Sequence, residues 1–419
     1  MSENAAHIDF NTQLSLNDFP HTTEKGRIKA TIPNLKHVFK QYGIECQYDE
    51  ILKKQTIILA NNSIDDNDLS ESSTFSQIQS LLALNDVPTR CVDLVPALME
   101  QNRINPVLDF IRSKPWDGTD RLPEFLNSLV IEGHDTHYRN LAVKTWLIQC
   151  VAAADSARNS PLKHAIAKFE LVLVLQGSQG AMKTTWFKSL LPASMKDYIV
   201  DGAHLNPDDK DAVKRCISCW ICELGELDAT FRKSDIAQLK GFLSKERDNF
   251  RLPYGRSDSS FRRRTSFGAT VNPKTFLVDD TGARRFLPLA VSQCLPINTD
   301  MQQLWAQAWH LYSAGHQWWC SNELDKLLTI IHLEHSEVSP ISELIANIFN
   351  MNEPVKRLYV DLRFNHLSAT QIVIECGINP PTKEHVRQAR VFLEGSGFKC
   401  VQSTSNQRGY WITKDLKSE

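Results

Sequence analysis

A five-residue apolar run, Leu171 to Leu175, leads almost directly into Gly177-Ser178-Gln179-Gly180-Ala181-Met182-Lys183-Thr184-Thr185, and a helical pattern, Trp186 to Leu191, follows at once. The run has the length and composition of a strand buried on both faces, which belongs to a sheet covered on both sides. Strand, glycine-rich turn, Lys-Thr and helix in this order form a phosphate cradle. Glycines let backbone N–H groups curl around phosphate oxygens, and the start of the helix adds unpaired N–H donors. Lys183 is the point charge for the β- and γ-phosphates, and the Thr184 hydroxyl is the candidate ligand for Mg²⁺. Met182 stands where such turns usually carry glycine, so its Cβ crowds a place where backbone nears phosphate. The alternative is an ordinary strand–turn–helix with a chance Lys-Thr pair.

A cradle of this kind needs an acid on a neighbouring strand. Ile217 to Cys222 reads as a second apolar strand with Glu223 at its end and Glu226 three residues on. Glu223 is the candidate for holding Mg²⁺ through water and Glu226 for polarising the attacking water; the two roles are interchangeable at this level. Glu226 also reads as a solvent-exposed acid at a helix start. A third strand, Ser266 to Val271, ends at Asn272-Pro273, and an Asn there can orient water or touch the γ-phosphate. The paired Arg284 and Arg285, on a turn after Asp279-Asp280, suit an arginine finger reaching a neighbouring subunit's nucleotide. The other reading is a salt bridge to Asp279 or Asp280. Strands alternating with helices over residues 169–315 predict an α/β sheet.

Taken together, Trp116-Asp117-Gly118, the Gly177–Thr185 turn, Trp220-Ile221-Cys222-Glu223-Leu224-Gly225-Glu226, Arg251-Leu252-Pro253-Tyr254-Gly255-Arg256 and Thr281-Gly282-Ala283-Arg284-Arg285-Phe286 resemble the virulence-associated protein E family. The match covers about residues 100–320. Those proteins are P-loop ATPases of phages and mobile genetic islands, similar to superfamily 3 helicases and to the helicase halves of phage primase–helicases. The resemblance implies an AAA+-like ATPase core with ATP and Mg²⁺, a homo-oligomeric ring and a role in replicating a mobile element. It departs from the family at Met182, which bears on turnover more than on fold.

Residues 240–264 hold eight Lys or Arg against three Asp or Glu: Lys240, Lys245, Arg247, Arg251, Arg256, Arg262, Arg263 and Arg264, with Phe250, Tyr254 and Phe261 interleaved. Pro253 and Gly255 flank Tyr254 as at a hairpin tip. Basic residues bind phosphates irrespective of sequence, and aromatic rings stack on unpaired bases. In superfamily 3 helicases the same interval forms the pore hairpin that grips single-stranded DNA. Lys245, Arg247, Arg251, Tyr254 and Arg256 are the candidates here; a solvated charged face is the alternative.

The last eighty residues read as a separate unit. Ser368 to Cys376 is a short helix with a Ser-x-x-Gln capping box, and Thr382 caps a second helix, Lys383 to Glu394, with Val386, Ala389 and Leu393 inward. A hairpin, Phe398–Ser403 with Tyr410–Thr413, completes a winged-helix order, whose second helix can enter a major groove through Lys383, Arg387 and Arg390. Such a fold also serves protein contact or acts as a lid.

The expected architecture is an α/β P-loop core with a small N-terminal α+β unit and a winged-helix-like end. The boundaries are 1–100, 101–325 and 340–419, for a chain of 419 residues. Residues 32–60 hold a helical pattern (Leu35, Val38, Phe39, Tyr42) and then alternation around Gln55 to Leu59. Phe75–Leu84, Leu122–Leu129 and Tyr138–Ala157 are helical, and a Trp-rich helix around Leu304–Leu311 is core. The first hundred residues lack a constellation of metal-binding carboxylates and are too few for a catalytic primase domain. The net charge of −2 is uninformative beside the local basic cluster. The chain opens without an apolar signal core, and its longest apolar run is far short of the roughly 20 residues that span a bilayer. We expect a cytoplasmic protein with free thiols and no membrane contact, in which Cys216, Cys219 and Cys222 are core residues rather than metal ligands.

An ATP-driven DNA motor is the leading expectation. The alternatives are an ATP switch that binds an origin without unwinding, and a DNA-binding regulator with a degenerate phosphate turn; a small-molecule kinase would leave the hairpin and tail without purpose.

Overall fold

The computed structural model describes residues 10–59, 71–133, 136–162, 168–225, 233–250, 259–272, 283–335, 340–351, 365–402 and 406–414. Glu226, Arg251, Tyr254, Arg256, Asp279 and Asp280 lie outside them.

The first hundred residues build their own apolar cluster. It gathers α1 (Ile32–Gln41), β1 (Glu45–Asp49), β2 (Lys54–Ile58), α2 (Glu71–Leu84) and α3 (Val95–Gln101). Leu35, Val38 and Phe39 recur at helical spacing and are buried in it. β2 runs antiparallel to β1, and the two-residue β3 (Arg103–Ile104) runs parallel to β1 on its other side.

Next come α4 (Pro106–Arg112), α5 (Leu122–Leu126), β4 (Leu129–Ile131) and α6 (Thr136–Ala154). The amphipathic helix expected over 122–129 therefore stops early and yields to a strand. The helix expected to reach Ala157 ends at Ala154, because Ser156 and Ala157 take φ of 50° and 55°, outside helical space. Every residue from Thr145 to Ala154 is buried, so α6 is wrapped on all sides rather than on one face. Its Gln149 mimics a strand partner, donating to Leu171 O at 2.9 Å and accepting from Leu171 N at 2.8 Å. That fixes where the following strand begins.

The central sheet has six strands in the order β4-β11-β5-β10-β7-β6. They are β5 (Val172–Gln176), β6 (Ile199–Ala203), β7 (Ile221–Leu224), β10 (Ser266–Val271) and β11 (Phe286–Cys294), all parallel to their neighbours, with β4 antiparallel along β11. Between them lie α7 (Lys183–Lys188), α8 (Lys210–Ile217), α9 (Lys233–Leu243) and a two-stranded hairpin of β8 (Arg247–Phe250) and β9 (Ser259–Arg262). Successive side chains point to opposite faces of the sheet. Leu173, Leu175, Ile221, Leu287 and Leu289 join the cluster that holds α6, α7, α10 (Met301–Ser313) and α11 (Asn322–His335). Val172, Val174, Cys222, Leu224, Phe267 and Ala269 join the other, with Cys216, Ile217, Leu239 and Phe242 of α8 and α9. Both faces are thus covered, as the continuous apolar run of β5 requires. Trp305 of α10 is core as expected, its Nε1 donating to Leu190 O at 2.9 Å. α10 also holds the Trp116-Asp117-Gly118 turn: Gln303 accepts from Asp117 N and Gln307 from Arg121 N, both at 2.9 Å.

The chain ends in a fourth cluster of α12 (Pro340–Ile348), α13 (Ala369–Glu375) and α14 (Lys383–Gly395) with a sheet ordered β12-β14-β13. These strands are β12 (Asn365–Leu367), β13 (Val401–Gln402) and β14 (Arg408–Ile412), paired antiparallel. Ser368 and Thr382 form capping boxes with Gln371 and His385, and Ala389 and Leu393 point inward. Among the described residues no helix is long and apolar enough to cross a membrane.

Candidate functional site

The glycine turn sits at the carboxyl end of β5. The connection leaving β5 runs to the β6 edge on one side, while that leaving β10 crosses to β11 on the other. Carboxyl ends beside such a divergence are where open α/β sheets bind ligands. Two glycines are fixed by sterics. A Cβ at Gly177 would lie 2.2 Å from Val291 O of β11, and Gly180 takes φ of +90°. Met182 also adopts the left-handed conformation, at φ 60° and ψ 23°, with its side chain 50% exposed. Glycine is the usual occupant for that conformational reason. Steric pressure on Met182 therefore comes from its own backbone, with the side chain directed at solvent.

Lys183 is buried and reaches back across the turn. Its Nζ donates to Gly177 O at 2.6 Å, to Ser178 O at 2.8 Å and to Asn272 Oδ1 at 3.1 Å. Gly177, Ser178, Lys183 and Asn272 are thereby brought together, although Asn272 is 89 positions from the lysine. Gln176 Nε2 adds a bond to Asn272 O at 3.3 Å. Thr184 is half-buried, and Ser178, Gln179, Gly180 and Thr185 are exposed around the turn. Ala181 is anchored from outside, its O accepting from Cys294 N at 2.8 Å.

Glu223 corrects the sequence reading. Residues 210–217 are helical, so Ile217 ends α8 and the strand starts only at Ile221. Glu223 stands inside β7, opposite Gly268, rather than at its tip. The carboxylate is fully buried: Oε1 accepts from the Thr270 hydroxyl and Oε2 from Gly202 N, each at 2.6 Å. Alternation puts Glu223 and Thr270 on the face that α7 covers, as Gly268 on that face would drive a Cβ to 2.3 Å from the Phe187 ring. Thr270 was missed from sequence; the signal was a small or hydroxyl residue at every second position, Ser266, Gly268 and Thr270, of an otherwise apolar strand. Glu226 falls outside the described residues.

The two arginines separate. Arg285 Nε donates to Glu170 Oε2 at 3.0 Å and its Nη2 to Ser244 Oγ at 2.9 Å, so its ion pair is with Glu170. Arg284 is exposed, and its charge acts on the Cys320 thiol, favouring the thiolate against the burial that pushes that thiol up.

The basic segment also divides. Arg263 and Arg264 are buried. Arg263 grips Asp248 through two bonds of 2.6 Å and lies 4.3 Å from the Phe242 ring centroid, while Arg264 binds Glu50 at 2.7 Å and Ala154 O at 2.6 Å. Both are lost as nucleic-acid contacts, because the segment after the hairpin turns inward to become β10. Phe250 and Phe261 stack on each other across the hairpin. Lys245, Arg247 and Arg262 are exposed, with Arg247 bonded to Ser260. On α14, Lys383 and Arg390 are exposed and Arg387 is half-buried.

Cys216, Cys219 and Cys222 are buried, and among the described residues no three His, Cys, Asp or Glu are placed to share a metal. The Cys222 thiol is pushed well up by its thiol neighbours Cys216 and Cys219 and by burial.

A six-stranded sheet with a glycine turn and a converging lysine at its centre defines an α/β protein whose buried lysine closes a glycine turn at a strand end. The chain belongs to the virulence-associated protein E-like domain family, whose pattern matches residues 111–337. No curated protein matches it. Solved structures of the NrS-1 C-terminal region resemble it loosely. One A form apo structure has 13% identity, covers 91% of this chain and 98% of that one, and has a TM-score of 0.44. A second A form and a further apo structure are each 12% identical at the same coverage, with TM-scores of 0.43 and 0.42. Likeness at that level carries no weight for mechanism.

Proposed function

We propose that the chain is an ATP-hydrolysing motor acting on DNA in the replication of a phage or mobile genetic element, assembled as a ring around an AAA+-like P-loop core. The observation that carries this reading is the convergence of Lys183 on Gly177, Ser178 and Asn272 at the carboxyl end of β5. An ammonium has three donors, and the described partners of this one are the neutral oxygens of Gly177, Ser178 and Asn272. Phosphate oxygens are stronger acceptors for a cation, so a triphosphate would draw Lys183 off the turn and release Asn272 to face the γ-phosphate or the attacking water. The turn's N–H groups would line the phosphate chain.

The donor set fits magnesium in a limited way. Mg²⁺ keeps most of its waters and takes few protein ligands, so the Thr184 hydroxyl and the phosphates would suffice. When bound, the ion neutralises charge between the β- and γ-phosphates. Both oxygens of Glu223 are already engaged, which favours contact through water, with Thr270 and Gly202 holding the carboxylate's angle. Glu226 remains the proposed second acid. Arg284 is the proposed trans-acting residue and Arg285 its anchor.

DNA would be gripped by Lys245, Arg247, Arg251, Tyr254 and Arg256. The stem aromatics Phe250 and Phe261 are occupied with each other, and Tyr254 is the proposed base-stacking ring. Two capped helices and a three-stranded antiparallel sheet support a winged-helix reading of the last unit, with Lys383, Arg387 and Arg390 toward duplex.

The test compares ATP hydrolysis and strand separation, with and without single-stranded DNA, in wild type and Lys183→Ala. Hydrolysis should fall about a hundredfold or more with the fold retained by circular dichroism. Unchanged hydrolysis would remove the assigned cradle. DNA-stimulated hydrolysis without strand separation would instead favour an ATP switch.

A further inference from the structure

The N-terminal unit carries no residue that the proposed reaction uses, yet it is tied into the hairpin. Tyr48 of β1 is 6% exposed, and its ring lies 6.4 Å from that of Phe261 on β9, tilted by 31°. Phe261 in turn stacks on Phe250 of β8 at 4.3 Å and 27°. A cation stands at each end of this file of rings. The Arg103 guanidinium is 5.7 Å from the Tyr48 centroid, and the Lys214 ammonium is 5.9 Å from that of Phe250. The file thus runs from the N-terminal sheet, through both hairpin strands, to α8, the helix that leads into the strand of Glu223.

A second set of ties grips the hairpin's root. The last residue of β1, Asp49, accepts from the Tyr198 hydroxyl at 2.6 Å, and the turn after it sets Glu50 beside Arg264 at 2.7 Å and Arg158 at 3.4 Å. Lys53, fully buried, donates to Ile217 O at the end of α8. Arg263 and Arg264 directly follow β9, so the return strand is held where it enters β10. Phe261 also packs against the apolar cluster of the first hundred residues. A bare two-stranded hairpin is marginal in water, and its direction must be set by what its stem touches.

We propose that the N-terminal unit is a bracket for the hairpin and that Tyr48 is its positioning residue. The unit fixes the stem's angle to the sheet, so that a nucleic acid strand held at the tip responds to the state of the nucleotide site. The coupling half of this rests on the reading of the hairpin as a DNA grip; the bracket itself does not.

Two measurements on the full chain test it. Tyr48→Leu removes the ring while keeping an apolar core side chain, and Tyr48→Phe keeps the ring. Hydrogen exchange at Arg247–Phe250 and Ser259–Arg262 should quicken about tenfold in Tyr48→Leu, with β5 and β10 still protected and Tyr48→Phe like wild type. Basal ATP hydrolysis should stay within about twofold, while the oligo-dT concentration for half-maximal stimulation rises about tenfold in Tyr48→Leu and is restored in Tyr48→Phe. Arg103→Gln, at the exposed end of the file, should give the same pattern at smaller amplitude and serves if Tyr48→Leu fails to fold. Unchanged exchange in the hairpin overturns the bracket whatever DNA does. A loosened hairpin with an unaltered DNA response overturns the coupling. A wild-type enzyme indifferent to single-stranded DNA would sink the motor reading instead, and the exchange rates would still judge the bracket.

Discussion

Replacing Lys53 by methionine should change how stability depends on pH, by an amount the structure sets. Lys53 takes φ of 52° and directs its ammonium into the junction between the N-terminal unit and α8, donating to Ile51 O at 3.4 Å and to Ile217 O. Burial lowers its pKa from 10.5 to about 8, with Cys219 and Asp248 opposing the drop and Arg263 and Arg264 adding to it. The unfolded chain, with an ordinary lysine near 10.4, binds that proton more tightly than the folded chain does. Between pH 8 and 10.5 the folded side chain is neutral while the unfolded one is still charged, so this group's contribution to stability rises with pH. Below pH 8 the buried charge costs its full desolvation penalty. The gap from 10.5 to about 8 corresponds to about 3 kcal/mol. Urea unfolding of wild type and Lys53→Met at several pH values from 7 to 10.5 measures it. The stability difference, wild type minus variant, should grow by about 3 kcal/mol across that range. Thiols that burial pushes up, Cys46 to about 11 and Cys294 to about 12, pull the other way with pH. They do so in both proteins and cancel in the difference. A difference that stays flat would mean that water reaches the ammonium and that the junction is open in solution.

Gly268→Ala should destabilise by about 1–3 kcal/mol in urea, because its Cβ would sit 2.3 Å from Phe187, and Phe187→Leu should recover part of the loss. An unmoved unfolding midpoint would mean that α7 does not press on β10. Arg284→Ala should abolish hydrolysis in the assembled protein without lowering its melting temperature. Arg285→Ala should lower the melting temperature through loss of Glu170 and Ser244. The reverse pattern would exchange their roles. Met182→Gly relieves a left-handed residue but frees the unfolded chain, so stability should change by less than about 1 kcal/mol and hydrolysis should be at least as fast as in wild type. Slower hydrolysis would give the methionine side chain a task of its own.

Elements whose periodicity and length agree were legible before any coordinates. β10 runs from Ser266 to Val271 as read, and the Thr382 cap and inward face of α14 follow their pattern. Short strands were not legible: β4, β12 and β1 exist because partners from distant sequence supply their ladders, and three to five residues carry no period of their own. Within the site, the glycines, lysine and Asn272 could be listed from local motifs, but that Lys183 rests on Asn272 could not. The Glu223 error had one cause: Cys216 and Ile217 are apolar because α8 buries them, and one-dimensional apolarity does not separate a helix end from the strand that follows. The burial of Arg263 and Arg264 was illegible for a similar reason, since a run of arginines looks solvated until Asp248 and Glu50 are brought to it from elsewhere.

The three residues of β4 have a consequence for anyone shortening this chain. They lie antiparallel on the far part of β11, pairing Ile131 with Val291 and Leu129 with Cys294. A truncated protein beginning at Phe169 would keep the glycine turn and the parallel strands that surround it, and would still bare a row of amides and carbonyls from Val291 to Cys294. Unpaired borders of that kind invite a second copy to dock. Such a fragment should precipitate or self-associate for reasons unrelated to nucleotide, and the forty residues before it act as a selvedge that keeps the sheet from fraying into its neighbours.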